Sequence, residues 1–351
     1  VLAYPVYDGD RAKAKVKTIN CEASSVKNLV DRDKSTVCIF NNKAKEAIIL
    51  DVFFDKKISA NSITLSPTKM HFLTNIEVQT HENGKYKSLK STFFDHGLSK
   101  VGRGPIPDGD MIIALDRVES NTFRLIFHDV PADFELTEIE ISEEPKIEHG
   151  TEKWLNKMAN KGTPAWEVFQ WKTQESTKQN SALKVDEVFN LSDNLDGDTL
   201  KWDKLPEGSW KILSIGMTTT GQTNRPATPQ ARGLEVDKLN RKALGSHFDA
   251  YMGKLIGSMT ADERKSLKRV IADSYETGPQ NWTDDMKESF EQAYAYDPIP
   301  WLATLTGSIV NSPEESDRFL WDLRRLVADK VANEYVGGLR DICEEHGISM
   351  W

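Results

Sequence analysis

The chain has 351 residues, of which 38% are hydrophobic and 28% are charged, and its formal net charge is −9. This length and composition predict a globular protein with two domains, or one barrel with an added domain. Lys and Arg form no basic cluster, which argues against a nucleic-acid-binding protein, and no apolar run approaches the roughly 18 residues of a transmembrane helix.

Residues 1–147 are predicted to form an antiparallel β-sandwich. Short segments in this part are continuously apolar or alternate apolar and polar residues, and few helix signals separate them. Strands at this spacing are typical of sandwiches and small barrels. The predicted strands are 46–54, 58–65, 73–79, 121–127 and 136–141.

The order of these segments resembles the galactose-binding-like jelly roll. The resemblance rests on Ile58–Leu65, then Ile76-Glu-Val-Gln79, and on Phe123-Arg-Leu-Ile-Phe127 and Leu136–Ile141 near the end of the domain. It implies a fold, but it leaves two functions open. The domain either binds carbohydrate or is a structural module that packs against its neighbour.

Both ends of the chain have the pattern of strands. The first six residues, Val1-Leu-Ala-Tyr-Pro-Val6, form one candidate strand, and Gly347–Trp351 begins another directly after a helix. A natural chain seldom begins and ends inside strands. We therefore expect these residues to belong to a longer polypeptide, whose remainder would pack against them.

Two features could hold a cross-link or a metal ion. Cys21 and Cys38 fit no zinc-site spacing, and they either pair in an exported protein or remain separate thiols. The segment Asn194-Leu-Asp-Gly-Asp198 has the composition of a calcium loop. Because it lacks the spacing and the distal Glu of an EF-hand, the pattern favours a solvated turn.

Residues 148–351 are predicted to form part of a (β/α)8 barrel of the TIM type. Buried parallel strands are expected at 210–217 and 268–273, each followed by a helix. A long helix is predicted over 312–346, because Ser312 suits the N-cap, Pro313 the first position, and apolar residues recur every three or four positions.

The segment 268–283 contains the strongest candidates for catalysis. Its apolar strand ends on Asp273, Tyr275 and Glu276, and Asn281 and Trp282 follow within a few residues. The ends of barrel strands usually carry catalytic groups. Acids and amides bind sugar hydroxyls, and aromatic rings stack on sugar rings. The alternative for Glu276 is a solvated loop carboxylate.

The C-terminal part of the chain resembles the α-L-rhamnosidases of glycoside hydrolase family 106. The matching blocks are Leu200–Leu213, Thr218–Asn224, Arg232–Leu239, Asp273–Thr283 and Glu315–Arg325. The resemblance implies a barrel interrupted by a β-sandwich, in a secreted or periplasmic enzyme that degrades plant polysaccharides or glycosides. It also implies removal of terminal α-L-rhamnose with inversion, and a Ca²⁺ ion near the sugar.

Within this resemblance, Glu276 takes the position of the general acid. An inverting enzyme needs a second carboxylate about 6.5–9.5 Å away to activate water. The resemblance places that base and the calcium-binding Glu on later strands, outside this chain. The other predicted sugar-binding residues are Asp273, Tyr275, Asn281, Trp282, Asn224, Glu235 and Asp237.

Two other functions stay open from the sequence. The first is a non-catalytic carbohydrate-binding or scaffold fragment, since half of the catalytic pair is missing from this chain. The second is a glycosidase with a different sugar specificity on the same barrel.

Overall fold

The computed structural model describes residues 1–6, 13–43, 46–68, 72–82, 84–96, 110–153, 174, 182–224, 226–272 and 280–351. The strands between residues 14 and 142 are β2 Ala14–Thr18, β3 Glu22–Ala23, β4 Cys38–Asn41, β5 Ile48–Pro67, β6 Phe72–Glu82, β7 Lys85–His96, β8 Met111–His128 and β9 Glu135–Ser142. They form an antiparallel β-sheet in the order β3-β4-β9-β5-β8-β6-β7, and β2 pairs with β5.

Strands β5 and β8 connect the two ends of this sheet. Their pairing shifts register between Phe53 and Ile58 and again between Ala60 and Ser62. The first half of β5 pairs with β2, and its second half pairs with β9. Register shifts of this kind bend and twist a strand. One continuous sheet therefore encloses a core whose largest fully buried side chains include Phe40, Phe123, Phe127 and Phe134. The prediction of antiparallel β-structure in this part is confirmed.

Alternation along β6 follows the prediction, with one local difference. Phe72, Ile76 and Val78 face the core, but Leu73 is 43% exposed. The buried position beside it belongs to Thr74, whose Oγ1 donates a 2.8 Å hydrogen bond to the His128 carbonyl. A buried hydroxyl is tolerated here because it is hydrogen-bonded to a backbone carbonyl.

The strand β1, Leu2–Pro5, lies outside the sandwich. It pairs antiparallel with β10, Phe189–Asn190, and with β13, Trp210–Leu213. The prediction of a buried parallel strand over 210–217 is therefore wrong in length, burial and direction. Trp210–Leu213 is half-buried to exposed, and a sequentially distant strand, Leu2–Pro5, supplies its partner.

Helices occupy much of the remaining chain. The long predicted helix is confirmed as α6 (Pro313–Lys330), a wide π-helical turn over Val331–Gly337, and α7 (Gly338–Glu345). Ser312 Oγ accepts a hydrogen bond from the Glu315 N–H at 3.1 Å, which caps the helix. The α-helices are α1 Gly150–Lys153, α2 Arg241–Phe248, α3 Lys254–Ser258, α4 Ala261–Arg264, α5 Met286–Tyr294, α6 Pro313–Lys330 and α7 Gly338–Glu345. In the described part of the chain, no helix is both long and apolar enough to cross a membrane.

The predicted partial barrel is not confirmed. Among the described residues, one strand pair is parallel, between β14, Arg269–Val270, and β15, Ser349–Met350. The predicted strand at 268–273 is thus present but short.

The predicted turn near Asn194 is a small hairpin of β11, Leu195–Asp196, and β12, Thr199–Leu200, in which Gly197 has a φ of +59°. Cys21 and Cys38 are free thiols.

The sandwich packs directly against the helical part. The Ile147 N–H donates a 2.8 Å hydrogen bond to the Gly307 carbonyl, and Ser308 Oγ donates to Glu144 Oε1 at 2.9 Å. A Cβ atom on Gly307 would lie 2.6 Å from Cδ1 of Ile112 on β8. The two parts therefore meet through close backbone and side-chain contacts, and the cavity described next lies on the helical side.

Candidate functional site

A cavity of about 670 Å³ lies beside the end of β13. The loop that continues from β13, the segment 234–238 and the segment 280–282 form its walls, and helical residues complete its floor. The lining residues that matter below are Ile215, Met217, Thr218, Thr219, Thr220, Leu234, Glu235, Asp237, Lys238, Gln280, Asn281 and Trp282.

The predicted sugar-binding residues fall into three groups. Glu235, Asp237, Asn281 and Trp282 line the cavity together, although up to 47 positions separate them. Asn224 is not among the lining residues. Asp273, Tyr275 and the predicted general acid Glu276 lie outside the described residues, and their roles stay predictions.

Asp237 fixes one wall of the cavity. Its Oδ2 accepts a 2.7 Å hydrogen bond from Thr283 Oγ1, and its Oδ1 accepts from the Leu239 N–H at 2.9 Å and from the Gln280 side chain. Thr283 is fully buried. Both carboxylate oxygens are thus engaged within the protein, and Asp237 ties the segment 280–283 to the segment 235–239. Sugar contact by Asp237 stays a prediction.

Glu235 forms an ion pair with Lys238 in the same wall. Glu235 Oε2 accepts from Lys238 Nζ at 2.7 Å, and the exposed fractions of the two side chains are 23% and 5%. The Tyr335 ring lies beside this pair, with its centroid 5.6 Å from Nζ. Burial, followed by the negative charge of Glu235, raises the pKa of the Tyr335 hydroxyl.

Asn281 and Trp282 complete the polar and aromatic side of the cavity. The half-buried Trp282 packs against the core cluster that contains Phe290 and Phe319. The side-chain amide of Asn281 makes no hydrogen bond with any described residue. A rigidly packed indole beside an available amide suits the ring and hydroxyls of a sugar.

Asn224 makes two hydrogen bonds within its own loop. Its Nδ2 donates to the Ala231 carbonyl at 3.1 Å, and its Oδ1 accepts from the Gly233 N–H at 2.8 Å. These bonds close the loop between Thr223 and Leu234, which also form an isolated β-bridge. Asn224 therefore shapes the loop that presents Leu234 and Glu235 to the cavity.

Sequence reasoning missed several cavity residues. Ile215, Met217 and Leu234 form an exposed apolar wall, with 42%, 57% and 58% of their surfaces accessible. Ile215 and Met217 were assigned to a buried strand over 210–217, which gave no reason to expect them in a cavity wall. Lys238 was also missed, because no sequence pattern indicated that its side chain contacts Glu235 in this non-helical segment.

The calcium ion implied by the resemblance finds no ligand set in this part of the structure. Among the described residues, no three His, Cys, Asp or Glu side chains are grouped so that they could hold a metal ion. The expectation of calcium with ligands outside this chain is not tested by this observation.

Two known proteins are similar to this chain, one in sequence and one in fold. A protein of Formosa agariphila named "Putative beta-glucuronidase" is 36% identical over 169 residues, which are 48% of this chain and 14% of that protein. The fold is similar to that of a rhamnosidase from Novosphingobium sp. PP1Y, with a TM-score of 0.72 and 24% identity. That similarity covers 99% of this chain and 32% of the rhamnosidase.

This chain thus spans a third or less of the length of these two proteins. The sequence model for the α-L-rhamnosidase family, glycoside hydrolase family 106, matches residues 1–351. The match covers the whole chain, and it agrees with the fold similarity. The chain belongs to glycoside hydrolase family 106.

Proposed function

We propose that this chain forms part of an inverting α-L-rhamnosidase, and that the cavity beside β13 binds the terminal rhamnose of a plant-type polysaccharide or glycoside. The observation that carries the proposal is the composition of the cavity. It combines an indole, an available amide and a partly exposed carboxylate with an apolar wall. The first three groups suit sugar hydroxyls and a sugar ring, and the wall suits an apolar substituent.

The apolar wall favours a 6-deoxy sugar. Rhamnose carries a methyl group where most hexoses carry a hydroxymethyl group. Met217 and Leu234 are more than half exposed in the cavity and would cover such a methyl group. Burying one methyl group is worth about 0.8 kcal/mol, which is a modest but useful preference.

Glu276 is proposed as the general acid that protonates the departing oxygen. It lies four residues before Gln280 in sequence, and the segment from Gln280 to Thr283 is held to Asp237. This anchoring supports a role at the cavity for the residues that precede Gln280 in sequence. The general base is proposed to lie in another part of the natural polypeptide, opposite Glu276 across the sugar.

The name of the Formosa agariphila relative suggests a second candidate substrate, a β-D-glucuronide. A glucuronate carboxylate needs a cation. Among the described lining residues the cation is Lys238, which is almost fully buried and paired with Glu235. The carboxylates of Glu235 and Asp237 would repel a uronate, so the charges favour a neutral sugar.

Calcium and a periplasmic or secreted location accompany this proposal. Both are implied by the resemblance to the α-L-rhamnosidases of glycoside hydrolase family 106.

The proposal is tested with the complete natural polypeptide that contains these residues. Hydrolysis rates are compared for aryl α-L-rhamnoside, aryl α-L-mannoside and aryl β-D-glucuronide, and proton NMR identifies the first anomer released. We expect the rhamnoside to be the best substrate, with release of the β-anomer. Turnover of the glucuronide alone would overturn the proposed substrate. Release of the α-anomer would overturn the inverting mechanism.

A further inference from the structure

Lys238 lies in a buried ion pair at the cavity wall. Its side chain is 5% exposed and its Nζ lies 2.7 Å from Glu235 Oε2. Burying an ammonium group costs free energy that one ion pair often fails to recover, so such a pair is weak evidence for a purely stabilising role. The Lys265–Asp262 pair has the same sequence spacing and distance, but its side chains are 75% and 89% exposed.

The protein holds Lys238 at both its backbone and its side chain. The Lys238 N–H donates to Gln280 Oε1 at 3.2 Å, and Gln280 in turn donates to Asp237. The ammonium lies 5.6 Å from the Tyr335 ring centroid, within the range of a cation–π interaction. Tyr335 belongs to the π-helical turn Val331–Gly337, and π-helical turns often occur at functional sites.

Glu235 has one engaged and one available carboxylate oxygen. Oε2 accepts from Lys238, whereas Oε1 has no hydrogen-bond partner among the described residues. The Glu235 backbone is fixed as well, because its N–H donates to the Gln222 carbonyl at 2.9 Å. The side chain is 23% exposed and lines the cavity, so a ligand can reach it.

We propose that Lys238 is a positioning residue, which holds Glu235 so that Oε1 accepts a hydrogen bond from a hydroxyl of the bound sugar. This inference rests on the proposed function, because it assigns sugar binding to the same cavity. Lys238 itself contacts no substrate in this arrangement. Its effect passes through Glu235, so the two residues act as a unit.

The direct test is binding of L-rhamnose to the complete natural polypeptide, measured by isothermal titration calorimetry, which needs no turnover. We expect Lys238→Met to weaken binding about tenfold, because a hydrogen bond to a charged group in a fixed geometry contributes that much or more. Lys238→Arg should recover most of the affinity. The exposed-pair variant Lys265→Met is the matched control and should bind as the wild type does.

Kinetics separate positioning from simple loss of fold. On the aryl rhamnoside, Lys238→Met should raise KM about tenfold and leave kcat within about twofold, whereas a loss of folded protein lowers the apparent kcat and leaves KM unchanged. Glu235→Gln should raise KM to a similar extent. The double variant should be little worse than either single variant, because both remove the same interaction.

Several results would overturn the inference. Unchanged rhamnose affinity and KM in Lys238→Met would do so, as would additive effects in the double variant. If Lys238→Met fails to fold, Glu235→Gln decides, because unchanged rhamnose binding in that variant contradicts a sugar hydrogen bond to Glu235. Wild-type protein that binds rhamnose but cleaves no rhamnoside contradicts the proposed function and leaves this inference standing. Wild-type protein that does not bind rhamnose contradicts both.

Discussion

Thr283 Oγ1 donates a 2.7 Å hydrogen bond to Asp237 Oδ2 across 46 residues of sequence. The bond joins two neighbouring segments that both line the cavity. Gln280 adds a second bond to the same carboxylate. The position of Asn281 and Trp282 in the cavity therefore depends on a side chain that sequence analysis assigned to the sugar.

Replacement of Asp237 by Ala should destabilise the protein and impair its activity. The change leaves the Thr283 hydroxyl, the Gln280 amide and the Leu239 N–H without their acceptor, and Thr283 is fully buried. An unsatisfied buried donor costs about 1–3 kcal/mol, so we expect a loss of about 2 kcal/mol or more in the free energy of unfolding. Urea unfolding followed by tryptophan fluorescence measures it.

Two further variants sharpen this test. Asp237→Asn should cost less than Asp237→Ala, because an amide oxygen can still accept and the Thr283 hydroxyl can also act as an acceptor. Asp196→Ala, at an 81% exposed carboxylate in the β11–β12 hairpin, should change stability little. Equal stability of Asp237→Ala and Asp196→Ala would contradict a structural role for Asp237.

Replacement of Gly307 by Ala should weaken the contact between the sandwich and the helical part. Gly307 has a φ of +89°, which disfavours side chains, and a Cβ would lie 2.6 Å from Ile112 Cδ1. Gly197→Ala is a matched control, because Gly197 also has a positive φ but has no atom within 4 Å of the added Cβ. Left-handed backbone costs an Ala residue about 1–2 kcal/mol, and the clash should add to that only at Gly307.

The clash can be relieved by a second substitution. Ile112→Val removes Cδ1, the atom nearest the added Cβ. Thermal melts of the four combinations should show that Gly307→Ala is less harmful in the Ile112→Val background than alone. Strictly additive melting temperatures would contradict direct contact between these positions.

Local patterns predicted local structure well. The Ser312 cap, the adjacent Pro313 and the apolar spacing predicted the long helix, because each signal acts within a few residues. The polar segment Asp55-Lys56-Lys57 was different, since it separated two predicted strands that the structure joins in β5. A register shift in the pairing with β8 accommodates these charged residues on one continuous strand.

Distant pairings were beyond the sequence pattern. Trp210–Leu213 was predicted as parallel, but its partner Leu2–Pro5 is about 200 residues away, and nothing in either pattern specifies that pairing. The same holds for the site. Composition predicted that Asn281 and Trp282 belong to a sugar site, and the family resemblance added Glu235. The contacts of Asp237 with Thr283 and of Lys238 with Tyr335, by contrast, depend on tertiary structure.

Glu138 in the sandwich should make stability fall as pH rises through neutrality. The pKa of Glu138 is raised from 4.5 to about 7, mainly by burial and also by the negative charges of Asp31 and Glu140. A hydrogen bond from the Arg32 N–H and the positive charge of Lys34 oppose this shift in part. Between these values the folded protein binds the proton more tightly than the unfolded chain. Its contribution is therefore favourable at low pH and is lost as pH rises from about 4.5 past 7.

The variant Glu138→Gln should remove this pH dependence. The difference between the two pKa values corresponds to at most about 3 kcal/mol, so the variant should gain stability at pH 8 and change little at pH 4.5. Glu140→Gln is the contrasting control. Burial tends to raise the pKa of Glu140, but Lys146, 2.8 Å away, lowers it overall. Loss of Glu140 should therefore destabilise the protein at neutral pH. Parallel stability–pH curves for wild type and Glu138→Gln would show that Glu138 does not cause the pH dependence.

Replacement of Glu276 by Gln should abolish release of rhamnose from substrates with poor leaving groups. Gln retains the size of the side chain and most of its hydrogen bonding, but it cannot give a proton to the departing oxygen. General acid catalysis typically contributes about 10²–10⁴-fold, so a rhamnosyl saccharide should lose that much in kcat/KM. An activated aryl rhamnoside should lose much less, because its leaving group departs without protonation.

The decisive measurement is the ratio of the losses on the two substrates. Glu119→Gln, at a 67% exposed carboxylate of the sandwich, serves as the control and should leave both rates unchanged. The melting temperature of Glu276→Gln should stay near that of the wild type, because a protonated acid and an amide carry the same charge. Equal losses on both substrates would show that Glu276 binds sugar without donating a proton, and full activity on the saccharide would remove it from the mechanism.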